Sequence, residues 1–170
     1  MTDSRLIWCH GSLAAPWGRK STALARTAGR LGLSMEAPDF RDLDGPDQRV
    51  ERLADALAQE TRPVILAGSS MGGYVAAAAC ARSEVAALFL VAPAFFLPGY
   101  ALDTFTGLPP AVTVVHGWGD EVVPVDNVLR FARRHRASLH ILDDDHSLAN
   151  SLERIDLLFA SFLESCRGRA

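Results

Sequence analysis

Cysteine is scarce in this chain and poorly placed for pairing. Cys9, Cys80 and Cys166 are odd in number, and none falls in a C-x-x-C or Cys/His ligand spacing. A disulfide framework and a metal site are therefore disfavoured, no cofactor is expected, and a reducing cytoplasm is the simplest setting. Long apolar runs are missing too. None approaches the ~20 residues needed to cross a bilayer, so no membrane span is expected. The run that starts at Leu6 is too short for the core of a signal peptide. Excess charge of one sign is also absent. With 17 Lys and Arg against 20 Asp and Glu, the formal charge is −3, which offers no electrostatic reason to expect nucleic acid as a partner. Arg133, Arg134 and Arg136 form the one basic cluster, and a solvated helix end accounts for it. Repeats, low-complexity stretches and linkers are likewise missing. The 170 residues, 49% of them hydrophobic, fit a single domain over residues 1–170. A chain of that length buries roughly 70% of its unfolded surface in one core.

What is present is a regular alternation. Short runs rich in β-branched and apolar residues lie at Leu6–Cys9, Ser34–Ala37, Val64–Ala67, Ala87–Val91, Val112–His116 and Leu139–Leu142. Those at Val64, Ala87 and Val112 are nearly continuous in apolar residues, as expected of strands covered on both faces. Helical periods lie between them. Val50, Leu53, Ala54, Leu57 and Ala58 mark one, and Val125, Val128, Leu129 and Ala132 another. Leu148, Leu152, Ile155, Phe159, Phe162 and Leu163 mark a C-terminal amphipathic helix. Leu24, Ala28 and Leu31 suggest a further helix, weakened by Gly29 and Gly32. Residues Leu97–Ala111, with three prolines and two glycines, read as a loop with at most one helical turn. Alternating strands and helices predict a three-layer α/β/α sandwich around a mainly parallel sheet of about six strands. Ligands on such sheets bind outside the carboxyl ends of the strands.

Chemistry is therefore sought at those ends. Val64–Ala67 leads through Gly68-Ser69-Ser70-Met71-Gly72-Gly73 into an alanine-rich helix. A nucleophile on a sharp strand-to-helix turn is held in a strained backbone conformation, and its neighbours two positions either way must be small. Such a G-x-S-x-G would arise by chance in about one chain in twenty of this length, and the flanking strand and helix make chance a much poorer account. Ser70 is the candidate nucleophile, and Ser69 lacks the flanking glycines. A serine hydroxyl needs an adjacent base. His10 and His116 follow apolar runs and read as residues shaping a turn. His135 lies in the basic helix end and His140 inside a strand. His146, between the last strand and the last helix, belongs at the same sheet edge as Ser70 and is the candidate base.

The orienting carboxylate is sought beyond the Val112 strand, in Gly117-Trp118-Gly119-Asp120-Glu121. Asp120 is preferred because it gives the chain order serine, acid, histidine. Glu121 is its main rival, and Asp143 to Asp145 are weaker ones. An oxyanion hole needs two N–H donors. The amide of Met71 supplies one, and Ser12 the other, with Leu13 next, from the His10-Gly11 loop. Leu13, Met71, Phe95, Phe96 and Trp118 are candidate pocket walls that could equally be core.

His10-Gly11, the elbow Gly68–Gly73, Gly117-Trp118-Gly119-Asp120 with Val123-Pro124, and Asp143-Asp144-Asp145-His146 together resemble the α/β-hydrolase superfamily over nearly the whole chain. The overall look is nearest to small bacterial esterases of the YqiA type. The chain begins at what would be the third strand of larger members, and about fifteen residues stand where they insert a helical cap. The resemblance thus implies a minimal fold with no cap domain and an open site. It implies a small-molecule ester or thioester as substrate, with acyl and leaving groups that are not legible here. A binding module on the same fold is the alternative. A nucleotide-binding protein fares poorly, because residues 68–73 lack the Lys-Ser/Thr of a phosphate loop.

Overall fold

Residues at successive positions of the central strands feed two separate cores, which is why those strands are apolar throughout. In the computed structural model, which describes residues 4–167, the chain runs β1 (Arg5–Cys9), α1 (Arg19–Arg30), β2 (Met35–Glu36), α2 (Pro46–Leu57), β3 (Val64–Ser69), α3 (Met71–Ala79), β4 (Ala87–Val91), β5 (Ala111–Gly117), α4 (Val125–His135), β6 (Ser138–Leu142) and α5 (Leu152–Arg167). The outermost residues of the expected domain, 1–3 and 168–170, lie outside the described residues. The strands form one sheet in the order β2-β1-β3-β4-β5-β6, and every ladder is parallel.

Side chains alternate between its faces with the period of two that a pleated strand imposes. In β4, Leu88 and Leu90 pack with α2, α3 and α4, whereas Phe89 and Val91 pack with α1 and α5. This is the expected three-layer arrangement. Among the described residues no helix is long and apolar enough to cross a membrane.

Differences from expectation are local. Only Met35 and Glu36 pair within the run expected at Ser34–Ala37. The weak helix proves to be α1, which continues through Gly29. Gly32, at φ 75°, then stops it: its N–H bonds to the Gly29 carbonyl and that of Leu33 to the Ala28 carbonyl. Gly32 therefore terminates this helix, while Gly29 sits inside it. The last helix starts at Leu152, not Leu148, because Leu148 adopts a left-handed φ of 51°. Leu148 still reaches the core on the α5 side. Between β4 and β5 the chain makes turns and no helix, so no cap covers the sheet edge.

The reversal of strand order lies between β1 and β3, where the chain crosses from one half of the sheet to the other. A crevice opens at the carboxyl ends of two such neighbours. There α3 approaches β1 closely. A Cβ on Gly72 would lie 2.0 Å from the Cys9 carbonyl oxygen, and one on Gly68 would lie 2.4 Å from that of Gly72.

Gly72→Ala is expected to cost about 3 kcal/mol or more through forced overpacking against backbone. Gly29, in open space within α1, should instead gain about 0.5 kcal/mol on substitution by alanine. Thermal and urea unfolding of both variants read these opposite signs, and a Gly72→Ala protein as stable as the parent would contradict the packing described.

Candidate active site

Ser70 sits where β3 turns into α3, with φ 55° and ψ −123°. That left-handed backbone is unfavourable for a residue with a Cβ. It is held by bonds on both of its backbone groups. The Ser70 N–H donates to the Val91 carbonyl at 3.0 Å, and its own carbonyl accepts from Gly73, Tyr74 and Ala94. The glycines at 68 and 72 leave room for the turn, so the hydroxyl stands clear at the sheet edge.

The loops after β5 and β6 bring the other two candidates to it. They are sewn together by Trp118 N–H to Leu142 O (2.8 Å) and Gly119 N–H to Asp144 O (2.9 Å), and a Cβ on Gly117 would lie 2.4 Å from Asp144 O. His146 Nε2 lies 3.0 Å from Ser70 Oγ, and His146 Nδ1 lies 2.7 Å from Asp120 Oδ2. The partners assign the tautomer: Nδ1–H donates to the carboxylate, and Nε2 is left to accept from the hydroxyl. Asp120 is enclosed. Its Oδ1 accepts from the backbone N–H groups of Val122 and Val123 at 2.9 and 2.8 Å. Glu121, its expected rival, is exposed. The aspartates before His146 serve the loop. Asp144 accepts from Asp145, Asn150 and Ser151, and Asp145 Oδ1 accepts from the backbone N–H and hydroxyl of Ser147. These bonds hold both aspartates below the ordinary carboxylate range despite the opposing effect of burial.

A cavity of about 510 Å³ lies beside the hydroxyl, between the loop after β1, the start of α1 and the loop before α5. Ser12 and the fully exposed Leu13 line it. The N–H groups of Ser12 and Met71 have no hydrogen-bond acceptor among the described residues. Four of the five expected pocket walls stand outside the cavity lining, Met71 among them, which is buried in the core on the α3 side. Phe95 is a correction: it is fully buried and stacks on Phe131 with centroids 4.1 Å apart, because the chain after β4 turns inward against α4. Phe96 lies under the Arg130 guanidinium, and Trp118 is 61% exposed outside the cavity lining.

Sequence reasoning passed over Lys20. It lines the cavity and donates from Nζ to Ser147 O at 2.9 Å, tying α1 to the loop of His146, and burial lowers its pKa. His116 was expected only to shape a turn, but its Nε2 lies 3.0 Å from Val123 O and 3.4 Å from Asp120 Oδ2. Burial lowers its pKa, which favours the neutral ring. Cys9, at the same edge, is no competing nucleophile, since burial pushes its thiol up to about 12. Among the described residues no group of three His, Cys, Asp or Glu side chains is arranged to hold a metal ion.

Comparison with known proteins agrees with this frame. A sequence profile described as the Alpha/beta hydrolase family matches residues 6–165. A candidate hydrolase of the alpha/beta superfamily from Xanthomonas campestris pv. campestris is similar over 95% of this chain and 98% of its own. Its identity is 35% and its TM-score 0.86. A second Xanthomonas campestris protein, an α/β serine hydrolase without a lid, is 21% identical over 96% of this chain and 82% of that one, with TM-score 0.79. Est1E from Butyrivibrio proteoclasticus, solved with ferulic acid bound, is 19% identical over 99% and 91%, with TM-score 0.78. The last two likenesses are of fold alone. No curated protein matches the chain.

The short Nδ1–H to carboxylate bond is expected to give a proton resonance far downfield in ¹H NMR of the free protein. Asp120→Asn should abolish that signal and Glu121→Gln should leave it. The opposite pattern would reassign the carboxylate.

Proposed function

The chain belongs to the alpha/beta hydrolase family, and from that premise we propose that it is a serine hydrolase cleaving a carboxylic ester or thioester through an acyl-enzyme on Ser70. The observation that carries this reading is the unbroken contact from Ser70 Oγ through the His146 ring to Asp120, at 3.0 and 2.7 Å. A hydroxyl with a base in hydrogen-bond reach, itself oriented by a buried carboxylate, is the arrangement that activates a weak nucleophile.

The steps follow from these positions. Ser70 Oγ attacks the carbonyl carbon as His146 Nε2 takes its proton. Asp120 holds the imidazole in the required tautomer and stabilises the imidazolium without itself taking a proton. The carbonyl oxygen becomes an oxyanion beside the start of α3, where the Met71 N–H and the Ser12 N–H receive it. His146 returns the proton to the departing alcohol or thiol. A water molecule, deprotonated by the same ring, then releases the acid and restores Ser70.

Leu13 and the cavity beside it supply an apolar contact for one arm of the substrate. The segment that joins β4 to β5 forms no cap, which favours small or flexible molecules over one deeply enclosed shape. Cys9 and Cys80 are both buried as thiols, in keeping with the reducing cytoplasm that we assign as the setting.

A fluorophosphonate probe is expected to label the purified protein on Ser70, with labelling lost in Ser70→Ala. A wild-type protein that takes up no probe would favour a binding module over an enzyme. With a panel of aryl esters and acyl-CoA thioesters of graded chain length, Asp120→Asn is expected to lower turnover by about 10⁴. Glu121→Gln should leave turnover within about twofold, and a loss confined to Glu121→Gln would refute the assignment of Asp120.

A further inference from the structure

Among the described residues Arg49, within α2 and 2% exposed, is the one buried arginine. A buried guanidinium is costly unless its donors are used. Asp39 and Asp42 lie near enough to favour its charge, but they are hydrogen-bonded to Arg41 and Arg52 respectively. The donors of Arg49 go to three carbonyl oxygens: Leu43 at 3.4 Å, Ser12 at 3.2 Å and Gly11 at 3.3 Å.

The Gly11 carbonyl belongs to the same peptide group as the Ser12 N–H. In a trans peptide these two point in opposite directions. A donor on the carbonyl therefore fixes the direction of the N–H and polarises it. Three donors converge on this one oxygen. Besides Arg49 Nη1 at 3.3 Å, His10 Nδ1 lies at 2.8 Å and the Ala14 N–H at 3.4 Å. The His10 ring is held from its other side, where Nε2 accepts the Phe40 N–H at 2.9 Å. An imidazole that accepts there must carry its proton on Nδ1, so it donates to Gly11 O. Gly11 also packs beside the nucleophile: a Cβ built on it would lie 3.6 Å from Ser70 Cβ.

Resting on the acyl-enzyme reading, we propose that Arg49 and His10 are positioning residues for the oxyanion. Together they grip the Gly11–Ser12 peptide by its carbonyl, so that its N–H is aimed and strengthened toward the oxygen that gains charge on attack by Ser70. Arg49 touches no substrate. Its positive charge, set behind the peptide in a water-poor interior, adds to the dipole that meets the oxyanion. The role links α2 and the loop before it to the chemistry at Ser70.

The test is the kinetics of fluorophosphonate labelling, counted per competent site. Losing one oxyanion donor outright costs about 10²–10³ in rate, so weakening one is expected to cost somewhat less. In Arg49→Met the rate constant should fall on the order of tenfold to a hundredfold, while labelling still reaches one probe per chain. A purely structural role would lower that end point and leave the rate constant of the folded fraction unchanged, which overturns the proposal. Arg49→Lys, which keeps the charge, is read in the same way should Arg49→Met not fold. A full end point with a smaller fall supports the role, and an unchanged rate constant overturns it. His10→Asn is expected to slow labelling as well. Absence of labelling in the wild-type protein would instead defeat the acyl-enzyme reading, and this inference with it.

Discussion

Where α3 meets β1 the two backbones touch, and no side chain larger than hydrogen fits between them. The space that a Cβ on Gly72 would need is occupied by the Cys9 and His10 carbonyl groups. This contact brings the start of α3 to the end of β1. It also forces β3 to enter α3 through a sharp turn, which leaves Ser70 in a left-handed conformation. Such a backbone costs of order 1–3 kcal/mol. Four backbone hydrogen bonds on Ser70 hold it there. The alternation that makes β3 apolar on both faces and the bare glycines after it are two expressions of the same packing requirement.

A second contact holds the other half of the site. The loops following β5 and β6 share backbone bonds through Trp118, Gly119 and Asp144. Their acidic residues divide the work. Asp120 is enclosed and faces the imidazole, while Asp144 and Asp145 spend their oxygens on the loop that carries it. Three histidines gather at this edge, and their surroundings separate them. Burial keeps His10 and His116 toward the neutral form, and each bonds backbone groups that shape a loop. His146 alone stands between a hydroxyl and a carboxylate.

Much of this was legible from residue types. The continuous apolar runs at Val64, Ala87 and Val112 announce a sheet covered on both sides, and the glycines around Ser70 announce the turn. Chain order brings Asp120 to His146. What escaped is what depends on side-chain direction or on distant partners. Phe95 reads equally well as pocket wall or core from the sequence, and the stacking on Phe131 from α4 decides for core. Trp118 could not be assigned a direction from the glycines beside it. Arg49 falls within an amphipathic pattern whose polar positions read as solvated, and nothing nearby in sequence says that its donors end on Gly11 and Ser12. His10 was recognised as shaping a turn, but the particular carbonyl that it holds is visible only in three dimensions.

The parallel sheet has a consequence for how the molecule comes into being. No two neighbouring strands are joined by a hairpin, so each ladder closes only after a whole crossover has been laid down. The pairing of β1 with β3 sets Arg5 against Val64, and the hydroxyl and imidazole that meet at the sheet edge lie 76 residues apart in the chain. Closing such long loops before their contacts form is entropically slow. A chain that has assembled only β1 to β4 holds the strained serine without the imidazole that contacts it, because His146 follows β6 in the chain.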